Sequence, residues 1–204
     1  MDCSCPLWIP RVVEGDVHTP VRVPTHLRAH VALHFFSLFL GKNVGMRFEV
    51  EHVFPGSVAA VGGVLLDPSF HCALVLPDLS LPEVLEHNAG MLKLRYEFVG
   101  ALDPIARRVI GGRKLTWIQE LRLDSGSGVG TLSFSAEAEP KKLFGTADVA
   151  LVAIDDGQTR RNVEGDLFVK VPLVGGTAER KIVPGLVRRL DVEAEAVRVA
   201  LTTP

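Results

Sequence analysis

The sequence predicts an α+β fold: a curved antiparallel sheet of about seven strands, two short helices and one long C-terminal helix. Three observations predict it. From Met46 to about Val171, polar and apolar side chains alternate in short runs, the period of strands with one wet and one dry face. Gly, Ser, Pro and Asp residues punctuate these runs closely enough to read as hairpins. Beyond Gly176 the apolar period lengthens to about 3.6 residues and holds to Leu201.

The first strand follows directly on Met46, with Phe48, Val50 and Phe54 alternating against Arg47, Glu49 and Glu51. Pro55-Gly56-Ser57 then turns the chain, and Ser57 can cap a short helix through Leu66 whose apolar side is Val58, Val61, Leu65 and Leu66. Gly62 and Gly63 each cost that helix about 1 kcal/mol relative to alanine, which implies close packing or a poorly formed element. Asp67-Pro68 starts a second helix, Ser69 to about Leu76, which Pro77-Asp78 ends.

Strands follow in succession. Pro82 to His87 is short. Met91 to Val99 puts Leu92, Leu94, Tyr96 and Phe98 on one face and Lys93, Arg95 and Glu97 on the other. Leu115 to Leu123 groups Trp117, Gln119, Leu121 and Leu123 opposite Thr116, Ile118, Glu120 and Arg122. After the turn at Asp124–Gly128, Val129 to Glu137 turns Leu132, Phe134 and Ala136 one way. Leu143 to Ile154, carrying Val149 and Leu151, and Thr159 to Val171, carrying Val163, Leu167 and Val169, complete the set. In the terminal helix Ile182, Leu186, Leu190, Val197 and Leu201 mark the apolar stripe. Thr177 can cap it, Pro184-Gly185 should kink or divide it, and Arg188, Arg189, Glu193 and Glu195 suit an exposed face.

Residues 46–201 are thus expected to be one domain. Residues 1–45 are an irregular extension without sustained period until about Thr25, and the expectation is that the native chain begins at Met46. The alternative is a real extension with an amphipathic helix from about Thr25 to Leu40, lying on a membrane or a partner. His26, His30 and His34 would share one face of that helix, but a single helix seldom supplies three metal ligands, so a solvated stripe is expected.

Composition narrows the function classes. With 47% hydrophobic and 23% charged residues the chain reads as an ordinary soluble globular protein, and a net charge of −2 gives no reason to expect nucleic acid. The 3 cysteines (Cys3, Cys5, Cys72) form no disulfide framework, and a reducing cytoplasm fits them best. Cys3-Ser-Cys5 has no second pair to complete a zinc site. Val31–Leu40, the longest apolar run, is too short for stable membrane insertion. The oligomeric state is not set by the sequence.

The order strand, two short helices, six antiparallel strands, long helix is the helix-grip arrangement, and the chain resembles the START-like superfamily of polyketide cyclases and lipid-transfer proteins. It is similar, within it, to an uncharacterised bacterial family. The residues that carry the resemblance are Val169-Lys-Val-Pro-Leu-Val-Gly-Gly176 with Glu179 and the terminal helix, the Asp67-Pro-Ser-Phe70 junction and the Leu115-Thr-Trp117 strand. These motifs speak for fold and not for activity. What the resemblance implies is an apolar cavity between sheet and terminal helix for a hydrophobic small molecule, lipid-like or polyketide-like. Because the superfamily also contains enzymes, a cyclase-type or other enzyme acting on such a ligand is the alternative.

No nucleophile elbow, Walker loop, dinucleotide fingerprint or metalloprotease motif is present, so no cofactor, metal or catalytic residue is assigned. Gly111-Gly112-Arg113-Lys114 lacks phosphate-loop spacing and reads as a hairpin turn. His71 and Cys72 are adjacent and would point apart on a helix. The cavity is expected to be lined by Leu92, Leu94, Tyr96, Phe98, Trp117, Gln119, Leu121, Leu132, Phe134, Val149, Leu151, Leu167, Val169, Leu186 and Leu190. Tyr96, Trp117 and Gln119 would carry polar handles that fix a ligand's orientation, unless core neighbours satisfy them. An enzyme would need Glu120, His87 or His71 turned inward. Arg107-Arg108 and Arg160-Arg161 read as solvated charges.

Overall fold

A computed structural model describes residues 45–101, 104, 107, 113–155 and 157–203. The expectations for residues 1–45, including the His26/His30/His34 stripe, and for Gly111-Gly112 and Arg108 therefore lie outside the described residues, Gly45 excepted.

β1 (Met46–Pro55) leads into two short helices, α1 (Val58–Leu66) and α2 (Pro68–Ala73). Ser57 and Asp67 cap them through bonds from Ala60 N and Ser69 N. Then come β2 (Glu83–Asn88), β3 (Met91–Glu97), β4 (Thr116–Leu123), β5 (Val129–Ala136), β6 (Leu143–Asp155), β7 (Gln158–Val169) and the terminal helix α3 (Gly175–Thr202). The strands form one 7-stranded antiparallel sheet in the order β1-β7-β6-β5-β4-β3-β2. Every pairing but one joins sequence neighbours. The exception lays β1 beside β7, which brings the start of the domain against the strand that feeds the terminal helix.

Register explains why one face is dry. Met46, Phe48, Val50, His52 and Phe54 stand opposite Leu167, Gly165, Val163, Arg161 and Thr159, so these residues share the face that α3 covers. The same face continues through Ala147, Leu132 and Leu121 to Leu92. Small residues line its middle. A Cβ on Gly165 would meet Thr146 O at 2.2 Å, and one on Gly145 would meet the Phe134 ring at 2.2 Å.

The strand-to-helix passage Val169–Gly176 has a local physical logic. Glu179 Oε1 accepts the bond of Val169 N at 2.8 Å. A Cβ on Gly175 would meet Val169 O at 2.2 Å, so only glycine lets the helix start this close to the strand end. Thr177 is not the cap: Val174 precedes the helix and makes no side-chain capping bond. Nor is the helix divided. It runs unbroken through Pro184, which is exposed and whose missing N–H costs one bond of the ladder.

Two further expectations change. α1 is well formed, yet its glycines do not mark close packing: a Cβ on Gly63 would meet nothing within 4 Å, and one on Gly62 only Leu151 at 3.6 Å. Arg161 is no solvated charge. It is 2% exposed, because it has the same strand phase as Val163 and faces α3.

Candidate functional site

α3 sits unevenly on the sheet. It packs closely on β1, β7 and α1, while its backbone stands off from β3, β4 and β5. Long side chains bridge the remaining space, and those from the two sides set its chemistry.

Over β1 and β7 the bridge is ionic. Arg161 Nη1 donates to Glu193 Oε1 at 2.6 Å, and its Nη2 reaches both Leu190 O and His52 Nδ1 at 3.2 Å. Because a guanidinium can only donate, Nδ1 of His52 must accept, and its Nε2 carries the hydrogen given to Asp191 Oδ1 at 2.9 Å. Burial lowers the His52 pKa, as do the charges of Arg161 and Arg198, and the bond to Asp191 offsets them in part. Burial alone would raise the Glu193 carboxyl, but Arg161, His71 and Arg189 together hold it below its usual value. The helix's expected exposed face was thus misplaced at Glu193, which is 4% exposed and lies between Leu190 and Val197 on the buried stripe.

Over β3 and β4 the bridge is different. Arg189 lays its guanidinium over the Tyr96 ring, with Cζ 4.6 Å from the centroid. Tyr96 in turn stacks on Trp117 at 5.6 Å. Leu94 pairs with Gln119 across the β3–β4 ladder, and Tyr96 with Trp117 one step further on. Four polar groups here end without a partner among the described residues: the Tyr96 hydroxyl, Gln119 Oε1, and Nε and Nη2 of Arg189. Burial raises the Tyr96 pKa, and the charge and close approach of Arg189 oppose this only in part, so the hydroxyl stays protonated although no hydrogen bond to it reaches proper geometry among the described residues.

The structure brings most of the predicted lining residues to one place. Leu92, Leu94, Tyr96, Leu121, Leu132, Val149, Leu151, Leu167 and Leu190 belong to one buried cluster, with Trp117, Phe134 and Leu186 partly buried against it. Gln119 and Val169 are buried on the same face. Phe98 stands apart: β3 ends at Glu97, and Phe98 forms an isolated bridge to Leu79 and gives its N–H to Leu115 O at 2.8 Å. Of the three groups an acid–base catalyst would require, Glu120 pairs outward with Lys93 and Arg122, and His87 lies on the exposed strand β2. His71 is buried instead, bonded through Nε2 to Leu65 O at 2.9 Å, with Nδ1 lacking a partner among the described residues. Sequence reading missed Arg161, Glu193 and Arg189. Strand phase could have found the first and helical spacing the second.

A concavity of about 360 Å³ opens between α1 and the turns after β2 and β4, with Gly62, Gly63 and Leu123 in its wall. Among the predicted lining residues only Leu151 borders it. Its carboxylates are already committed, Asp67 to Ser69 N and Asp124 to Gly126 N and Ser127 N. Among the described residues no group of three or more His, Cys, Asp or Glu side chains is placed to hold a metal ion. No helix among them is long and apolar enough to cross a membrane.

Comparison with solved structures defines the class by its fold: this is the helix-grip fold. An aromatase/cyclase (ZhuI) from Streptomyces sp. R1128 matches with a TM-score of 0.55 and 16% identity, over 76% of this chain and 93% of its own. Norcoclaurine synthase from Thalictrum flavum matches with a TM-score of 0.55 and 14% identity, over 93% of this chain and 100% of its own. A protein from Thermus thermophilus matches at 0.56 and 13%, over 78% and 100%. At such identities the likeness is one of fold. The chain itself belongs to the family described as "Protein of unknown function (DUF2505)", whose model matches residues 49–201. No curated protein matches it.

Proposed function

We propose that the chain binds and carries a small molecule, apolar over most of its surface and lipid-like or polyketide-like in character, between the sheet and α3. The observation that carries this reading is the group of polar atoms on Tyr96 and Gln119 that have no partner among the described residues, set in an otherwise apolar wall where α3 stands off from the sheet. Native proteins pair nearly all buried polar atoms, because each one left unpaired costs about 1–3 kcal/mol. A bound molecule with one polar end would pair these and cover Trp117, Phe134 and Leu186, which the protein alone leaves partly exposed. The helix-grip neighbours named as an aromatase/cyclase and a synthase support a small-molecule ligand for this fold. Native mass spectrometry of protein purified from its own host tests the proposal: a co-purifying hydrophobic molecule is expected. Failure to retain any, together with failure to bind added fatty acids or aromatic hydrophobes, would refute it.

One observation favours the second reading, an enzyme acting on such a ligand. His71 keeps an unpartnered ring nitrogen buried beside the same interior charges that act on Glu193. Turnover of the recovered ligand that His71→Gln abolishes, with binding retained, would establish that reading over carriage.

A further inference from the structure

We propose that the bound molecule carries an acidic head group, a carboxylate by preference, which seats on the Nε–Nη2 edge of Arg189; this rests on the binding reading above.

Charges in the interior set the starting point. Arg161 on β7 and Glu193 on α3 are buried, and Arg189 on α3 is partly buried against the Tyr96 ring. Glu193 is committed to Arg161 at 2.6 Å. Asp191, the next carboxylate on α3, faces His52. Among the described residues no carboxylate forms a contact ion pair with Arg189, whose charge acts on Glu193 only through space. Buried charges are ordinarily paired, since desolvating an unpaired one is costly.

Geometry then selects the partner. Among the described residues the two donors of Arg189 without a partner are Nε and Nη2, and these lie on one edge of the guanidinium plane. That edge offers two parallel N–H groups at the spacing of the two oxygens of a carboxylate. The cation–π contact with Tyr96, 4.6 Å from Cζ to the ring centroid, restrains the guanidinium before any ligand arrives. The Tyr96 hydroxyl, protonated and without a partner among the described residues, supplies a further donor nearby. The apolar residues of β3 to β5 then receive the body of the molecule, while its head meets the helix.

The test compares two probes that share one aromatic skeleton, the anionic 1-anilinonaphthalene-8-sulfonate and the neutral N-phenyl-1-naphthylamine, by fluorescence titration of the full chain. Charge-assisted bonds predict that the wild type prefers the anionic probe by about 10- to 100-fold. Arg189→Met should erase that preference and leave the neutral probe's affinity within about twofold. Arg189→Lys, which keeps the charge and loses the paired edge, should fall between them. Arg188→Met removes an exposed charge from the adjacent position and should change nothing. Unfolding midpoints of each variant show that it is folded. If Arg189→Met keeps the preference, or the wild type has none, the acidic head group is overturned and carriage of a neutral molecule stands. If neither probe binds the wild type, the binding reading itself falls with it.

Discussion

Arg161 on β7 and Glu193 on α3 meet at 2.6 Å with side chains 3% and 6% exposed, the one ion pair among those of the described residues in which both partners are enclosed. It ties the terminal helix to the strand beside β1, while Nη2 of the same guanidinium reaches His52 and Leu190 O and its Cζ lies 5.4 Å from the Phe54 ring centroid. Removing one partner strands the other's charge in the interior. Arg161→Met or Glu193→Leu alone should therefore cost about 3–5 kcal/mol, whereas the double substitution should recover most of that or exceed the wild type. Urea unfolding of the four proteins gives the comparison.

His52 makes the same contact sensitive to pH. Its folded pKa lies below the ordinary 6.5, since burial and Arg161 disfavour the charged ring. Between the folded value and 6.5 the unfolded chain binds more protons, so stability rises with pH through that window. It is lost as pH falls below 6.5. Glu193, whose pKa lies below 4.5, contributes stability lost only at still lower pH. His52→Gln should flatten the first of these slopes and leave the second, as unfolding midpoints at a series of pH values will show.

Tyr96 should reveal a cost borne for binding. Its buried hydroxyl has no partner among the described residues, so Tyr96→Phe should leave the ligand-free protein as stable as before or up to about 1 kcal/mol more stable. The same change should weaken 1-anilinonaphthalene-8-sulfonate by roughly five- to tenfold. Chemical unfolding and fluorescence titration on one preparation measure both. Lower stability without ligand would mean that the hydroxyl serves the fold.

Two glycines give opposite expectations. Gly165→Ala would drive a Cβ into Thr146 O at 2.2 Å and Ala147 Cα at 2.5 Å, both backbone, and should cost about 1–3 kcal/mol. Gly63→Ala meets nothing within 4 Å and should stabilise α1 by up to about 1 kcal/mol. Thermal unfolding of the two variants tests the pair.

The strands were legible because alternation is a local property: Leu92, Leu94 and Tyr96, or Leu121 and Leu123, announce their shared face without help from the rest of the chain. The caps at Ser57 and Asp67 were legible for the same reason. Charged residues hid the site. Arg161 was assigned to solvent by its type although its phase matched Val163, and Glu193 likewise although it falls three residues after Leu190. Each is buried only because the other is, and such a pair, 32 residues apart, shows itself only when strand and helix are brought together. Arg189 was hidden further, since its role depends on how far α3 stands from β3 and β4, a distance no local pattern encodes.

The strand order also leaves β2 at a margin of the sheet, where another molecule's chain could add itself. All six of its residues are exposed, with Glu83, Glu86 and His87 among them, and its register slips between Val84 and Glu86. An approaching strand would meet carboxylates and a broken row of hydrogen-bonding groups. Self-association by sheet growth is thereby discouraged at the margin farthest from the ion-paired end, and concentrated preparations should resist fibril formation as long as those acidic side chains remain.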